Sequence, residues 1–196
     1  LSHIVQALED SYLAVQGPPG TGKTYSAAKV VLDLVSKKKR VGIAANTHAA
    51  VTNVIEEIGK HAKDHGFDSE NHLKVLLGVR STDDDSEAET DSVVKITRRN
   101  DAKKVVKVKS DFQIIGGTSY LFARKDMRES VDVLFVDEAG QLSLADTLGV
   151  SLASKDLVLV GDPQQLKQPT KAAHPGESGL SALEYINQGN DVVPEG

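Results

Sequence analysis

Gly17-Pro18-Pro19-Gly20-Thr21-Gly22-Lys23-Thr24 is the stretch on which the reading of this chain turns. It satisfies the pattern G-x-x-x-x-G-K-[ST], and it stands where that pattern has a mechanism: after a strand-like run ending at Gln16 and before a helical run opening at Lys23. Glycines let the backbone curl so that successive N–H groups point inward at phosphate oxygens, reinforced by the positive end of the helix. Lys23 adds a point charge between a β- and a γ-phosphate, and the Thr24 hydroxyl suits Mg²⁺. Gly17, Pro19, Gly20, Thr21, Gly22, Lys23, Thr24 and the next residue, Tyr25, are the expected nucleotide contacts.

Outward from this loop, short apolar runs alternate with helical patterns, the signature of an α/β fold with a parallel sheet and helices on both faces. Strands are expected at 12–16, 41–45, 73–79, 112–115, 131–136 and 157–160, and helices at about 23–36, 49–61, 119–124, 143–150 and 180–186. Several of the strands are apolar at nearly every position, as strands covered on both faces are. Right-handed crossovers then bring the carboxyl ends of the strands to one edge. Residues 81–89 are acidic and 95–109 basic, without a dense core pattern. The surrounding segment, 66–109, is expected to be an insertion or a long solvated helix.

Polar residues follow the strands at that shared edge. Val131–Val136 runs into Asp137-Glu138-Ala139-Gly140-Gln141, and two adjacent carboxylates at the end of a buried strand are costly unless they are used or solvated. Asp137 suits a metal ion, and Glu138 suits orienting and deprotonating an attacking water. Leu157–Val160 leads to Gly161-Asp162-Pro163-Gln164-Gln165, where the Gln165 amide can donate to a γ-phosphate oxygen and hold that water. Thr47 and Thr118-Ser119 begin helices at two further strand ends. They can take backbone phosphates of a nucleic acid, or act as plain helix caps.

Composition sets the outer limits. The chain has 196 residues, 23 Lys+Arg against 28 Asp+Glu, a formal charge of −5 and 39% apolar residues. That describes a globular chain and excludes a non-specific polycation. No run approaches the roughly 18 apolar residues of a membrane span, so no membrane partner is expected. The absence of cysteine excludes disulfides and thiolate chemistry and fits a cytoplasmic setting. Of the six histidines only His61 and His65 have a ligand-like spacing, and His61-Ala-Lys-Asp-His65 lacks the glutamate of H-E-x-x-H, so both are expected on a solvated helix face. The apolar pattern at Leu1, Ile4, Val5 and Leu8 and the featureless end at 191–196 lead us to expect a piece of a longer protein.

The three rim motifs, Gly17–Thr24, Asp137–Gln141 and Gly161-Asp162-x-x-Gln165-Leu166, resemble in this order motifs I, II and III of superfamily 1 helicases. The Asp-Glu-Ala-Gly-Gln form resembles the 1B branch, which contains RNA-surveillance helicases and the eukaryotic Okazaki-fragment nuclease-helicase. The flanks 11–16 and 174–183 are similar to bacterial fusions of a RecB-like nuclease with such a helicase. The resemblance covers most of the chain outside 66–109. It implies a P-loop NTPase of RecA-like fold spanning 1–196 as the first motor lobe, with the second RecA-like lobe and its arginine fingers elsewhere in the protein. It also implies ATP as fuel, Mg²⁺, 5′-to-3′ movement on a single strand of nucleic acid (DNA favoured over RNA) and a possible fused nuclease. Where the family usually has Ser-Asn or Thr-Asn, this chain has Thr47-His48, so no contact is carried over to His48. The family's adenine-reading glutamine is expected before Leu1, since Gln6 does not stand at its place. A lobe without arginine fingers is expected to hydrolyse nucleotide very slowly. Two alternatives stay open: an AAA+-type ATPase, which shares the loop, and a nucleotide-switched nucleic-acid binding module that does not unwind.

Overall fold

A computed structural model of the chain describes residues 1–90, 93–162 and 180–187. Its frame is one sheet of eight strands in the order β1-β8-β7-β2-β6-β3-β5-β4. These are β1 (Tyr12–Gln16), β2 (Val41–Ala45), β3 (Leu73–Gly78), β4 (Ser86–Thr90), β5 (Val94–Arg99), β6 (Ile114–Thr118), β7 (Val133–Val136) and β8 (Asp156–Gly161). Every neighbouring pair is parallel except β4 with β5. The carboxyl ends of the parallel strands therefore lie along one rim. The helices are α1 (Ser2–Gln6), α2 (Lys23–Ser36), α3 (His48–His61), α4 (Ala102–Val108), α5 (Ser119–Phe122), α6 (Leu144–Ser151) and α7 (Ala182–Asn187). None of the described helices is long and apolar enough to cross a membrane.

Strand alternation explains why the apolar runs are continuous. Ile43, Val133, Phe135, Val158 and Val160 pack on one face against α2 and α3, through residues such as Val31, Leu34, Ile55 and Ile58. Ala44, Leu134, Val136, Leu157 and Leu159 pack on the other against Val105, Leu121, Phe122, Val150 and Leu183 of α4 to α7. A strand with period two needs apolar residues at both phases when both faces are covered.

Two expectations are corrected. The strand expected at 112–115 lies at Ile114–Thr118, so Gly116 and Gly117 are inside it. A Cβ added at Gly116 would lie 2.5 Å from Leu77 Cδ2 of the paired strand β3 and 2.9 Å from Val51 Cγ1 of α3, and one at Gly117 would lie 2.5 Å from Leu121 Cδ2 of α5, so helices press on β6 from both faces. The glycines mark close packing rather than a strand end. The charged segment is not a long solvated helix: it supplies β4, β5 and α4. In β5 the side chains of Val94 and Ile96 are buried while Lys95 is exposed, and in α4 Val105 is fully buried. Lys95 takes the exposed side of β5, Arg99 at its end meets Glu87 of β4 at 3.0 Å, and Lys104 of α4 meets Asp85 at 2.8 Å.

Val105→Ala separates the two pictures. In the packed position it costs about 2 kcal/mol of stability, whereas in a solvated helix it gains several tenths through helix propensity. Urea denaturation of the variant checks this, and an increase in stability would contradict the packing described.

Candidate nucleotide site and the strand-end rim

The phosphate loop leaves β1 at Gly17, whose N–H donates to the Gly161 carbonyl at the end of β8 (3.2 Å). Gly20 and Gly22 have φ of +79° and +78°, the left-handed region that glycine enters without a Cβ penalty. Gly22 caps α2 with no side-chain hydrogen bond to the helix's first N–H groups. Those donors and the helix dipole make the loop an anion cradle. The Lys23 ammonium donates to the carbonyls of Gly17 (2.5 Å) and Pro18 (2.8 Å), and the Thr21 hydroxyl donates to Pro18 (2.8 Å). The charge is thus held at the mouth of the loop.

Across the rim, β7 delivers Asp137 and Glu138. Asp137 N–H donates to Ala44 of β2 (2.8 Å), and its Oδ1 accepts the Glu138 N–H (3.0 Å). Glu138 has φ of +56°, a strained conformation for a side-chain-bearing residue. The turn around it is held by Ala139 N–H on Val160 (3.0 Å) and Gln141 N–H on Glu138 (2.8 Å). Burial pushes the Asp137 carboxyl above the usual carboxylate range, against the pull of the Glu138 N–H and the Lys23 charge. Glu138 is raised as well, by burial first and then by the neighbouring Asp137 charge.

Lys23, Thr24, Asp137 and Glu138 line a single cleft of about 450 Å³, together with Pro19, Gly20, Gly22, Tyr25, Gly161 and Asp162. Most of the expected nucleotide residues are thereby brought together. Gln165 lies outside the described residues. Mg²⁺ takes hard oxygen ligands and keeps several waters, and the Thr24 hydroxyl and the partly buried Asp137 carboxylate on one cleft wall fit such an ion. Among the described residues no group of three His, Asp or Glu side chains is arranged to hold a metal.

The sequence reading missed Glu57, which lines the same cleft from α3. It also placed His61 and His65 on a solvated face, and that is corrected. Their side chains are only 19% and 18% exposed; His61 reaches Glu57 at 3.3 Å and His65 reaches Asp33 at 3.3 Å. His61 also stands edge-on to the Tyr25 ring, with centroids 5.0 Å apart. The spacing of Glu57 and His61, four apart on α3, was a legible signal of a pair. Its position beside Tyr25 depends on how α3 packs on α2.

Farther along the rim, Thr47 caps α3, its hydroxyl accepting the Ala50 N–H at 3.1 Å. Thr118 precedes α5 without a side-chain cap, and Ser119 opens that helix of four residues. Thr118 and His48 line a second cleft, of about 710 Å³, at the ends of β2, β6, β3 and β5.

Residues 2–170 match a family model described as an AAA domain, AAA_19. The chain belongs to this family. Among relatives of the family member described here is the "DNA replication ATP-dependent helicase/nuclease DNA2" of Saccharomyces cerevisiae, 29% identical over 168 residues, covering 80% of this chain and 10% of that protein. The protein of the same name from Gallus gallus is 29% identical over 175 residues, covering 89% and 17%. The chain thus spans between a tenth and a fifth of the length of these relatives. Two solved structures share the fold: an Arterivirus nonstructural protein 10 (helicase) with DNA and a nuclease-deletion mutant of the restriction-modification enzyme LlaGI with a DNA substrate mimic. The first has TM-score 0.50 and 22% identity, covering 84% of this chain and 32% of that one; the second has 0.52 and 15%, covering 81% and 16%. The resemblance to superfamily 1 helicases holds, and the RecA-like fold with it.

The raised Asp137 pKa sets a direction for stability. The folded chain holds this proton more tightly than the unfolded chain, so its contribution is full below the ordinary carboxylate range and is lost as pH rises through the folded value. Without nucleotide or metal, Asp137→Asn therefore raises the melting temperature at pH 8, by on the order of 2–4 °C if the relief is about 1 kcal/mol. The gain shrinks as pH falls toward the ordinary carboxylate range. Thermal melts across pH check this, and a gain independent of pH would contradict the assignment.

Proposed function

We propose that this chain is the first motor lobe of an ATP-dependent helicase, acting with a second RecA-like lobe and moving 5′-to-3′ on single-stranded nucleic acid, DNA in preference to RNA. The observation that carries the proposal is the single cleft shared by Lys23, Thr24, Asp137 and Glu138. The relatives' names, helicase/nucleases of DNA replication, support DNA and the attachment of a nuclease domain. In this reading residues 66–109 are a family-specific insertion.

Loop N–H groups from Gly20 to Thr24 bind the β- and γ-phosphates of ATP, and Lys23 exchanges its carbonyl partners for phosphate oxygens. Thr24 and Asp137 would hold Mg²⁺, which when bound offsets phosphate charge as it develops in the transition state. Glu138 accepts the proton of the attacking water; burial, which makes it more basic than an exposed carboxylate, suits it to that task. Gln165 is proposed to couple the γ-phosphate to the nucleic-acid side, where Thr47, Thr118 and Ser119 lie on the same rim. Stabilising the transferred phosphoryl charge falls to arginines of the second lobe, worth about 10³–10⁵ in rate in related phosphoryl transfer, so the lobe alone turns over very slowly. A ring-forming AAA+ ATPase shares the loop and the family's description. Its polar sensor Asn on the strand after the acidic turn has no counterpart in β8, which reads Asp156-Leu-Val-Leu-Val-Gly161.

In the protein carrying both lobes, Lys23→Ala abolishes nucleotide binding, while Glu138→Gln keeps binding and lowers ATP turnover by about 10²-fold or more. Fluorescent-nucleotide titration and a phosphate-release assay measure the two. Equal nucleotide affinity of Lys23→Ala and wild type would refute the phosphate-loop assignment, and unchanged turnover of Glu138→Gln would refute the base.

A further inference from the structure

Glu57 enters the nucleotide cleft from α3, a helix that none of the three rim motifs includes. Its carboxylate is held from its own helix. Oε2 accepts from the Lys60 ammonium at 2.8 Å, and Oε1 lies 3.3 Å from His61 Nε2. The Lys60 hydrogen bond first, and His61 as well, keep the Glu57 carboxyl below the usual carboxylate range, against the effect of burial. The same histidine is tied to the other wall of the cleft. It stands edge-on to Tyr25, and the Lys29 ammonium lies 4.5 Å from the centroid of that ring. Tyr25 follows Thr24 directly, lines the cleft and stays 44% exposed. His65 and Asp33, 3.3 Å apart, fasten the residues after α3 to α2. The packing of the two helices thus presents a fixed anion beside the phosphate loop.

A fixed anion in a cleft built for a polyanion is unfavourable wherever it meets phosphate, since like charges repel. Glu57 must therefore face a part of the nucleotide that donates hydrogen bonds. On a nucleoside diphosphate or triphosphate the neutral donors nearest the phosphates are the ribose 2′- and 3′-hydroxyls. A carboxylate has about four lone-pair sites, so each Glu57 oxygen can accept once more beyond its contact with Lys60 or His61. An acidic side chain on a ribose hydroxyl is a pairing that dinucleotide-binding folds also use. We propose that Glu57 reads the sugar of the nucleotide, accepting hydrogen bonds from its ribose hydroxyls and so favouring ribonucleotides over deoxyribonucleotides. The inference rests on the nucleotide reading of this cleft and adds to it a residue outside the phosphate loop and the acidic turn.

Calorimetric titration of the protein carrying both lobes tests this, with Mg²⁺ and with ADP, 2′-deoxy-ADP, 3′-deoxy-ADP, GDP and pyrophosphate, none of which is turned over. Wild type binds ADP tighter than at least one of the deoxy analogues by about 10-fold or more, the range for a hydrogen bond to a charged group. Glu57→Ala brings ADP down to the affinity of that analogue, leaves the analogue itself unchanged and does not weaken pyrophosphate. Glu57→Gln, which keeps the shape and a neutral acceptor, retains part of the preference. Equal affinity of wild type for ADP and both deoxy analogues overturns the inference, as does a preference that survives Glu57→Ala. So does an equal loss for every ligand including pyrophosphate, which marks a merely structural role, or a change confined to ADP against GDP, which marks contact with the base. In all these cases wild-type binding of pyrophosphate, lost in Lys23→Ala, leaves the nucleotide reading standing. If wild type binds none of the five ligands, both readings fall together.

Discussion

Three backbones converge on Gly161, and the rest of the site depends on that approach. Its carbonyl receives the first amide of the phosphate loop, while a Cβ at this position would lie 2.9 Å from the Gly140 nitrogen and 3.0 Å from that of Ala139. Those neighbours are main-chain atoms, so nothing can rotate aside. The end of β8 therefore fixes the distance between the loop proposed to cradle phosphate and the turn that carries Asp137 and Glu138. Register carries the effect through the sheet: Gln16 pairs with Gly161, and Val136 with Leu159.

Within this frame, charges are placed where water is scarce. Asp137 and Glu138 are both made harder to ionise by burial, and Glu138 in addition holds a backbone conformation that costs on the order of 1–3 kcal/mol. A fold optimised for stability alone would not keep both features at the end of a buried strand. They become reasonable opposite a cation, and Lys23 is the cation whose charge lowers Asp137.

Much of this was legible in the sequence because several signals agreed at each place. For β1, β2 and α2 the apolar period, the turn residues and the loop motif all pointed to the bounds found. The misreadings have physical causes. Gly116 and Gly117 look like a strand end until Leu77 and Leu121 are seen pressing on them. The alternation Val94-Lys95-Ile96 is too short to stand out among so many charges. Glu57, Arg80 and Tyr120 are ordinary residues on a helix, after a strand and on a short helix; only the packing of α3, the addition of β5 to the sheet and the packing of α4 beside it give them clefts to face. Gln165 lies beyond what the structure describes.

The two clefts share one rim, with the proposed nucleotide cleft at the ends of β1, β8 and β7 and the larger cleft at the ends of β2, β6, β3 and β5. Neighbouring strands join them directly, since β7 pairs with β2. The central claim is that the loop and the acidic turn close on one triphosphate. A crystal structure with Mg²⁺ and a non-hydrolysable ATP analogue tests it most directly. The account predicts phosphates along Gly20–Thr24, Lys23 Nζ moved from the Gly17 and Pro18 carbonyls onto phosphate oxygen, and Glu138 facing the terminal phosphate. A nucleotide bound elsewhere, or Lys23 still on those carbonyls with nucleotide present, would contradict it.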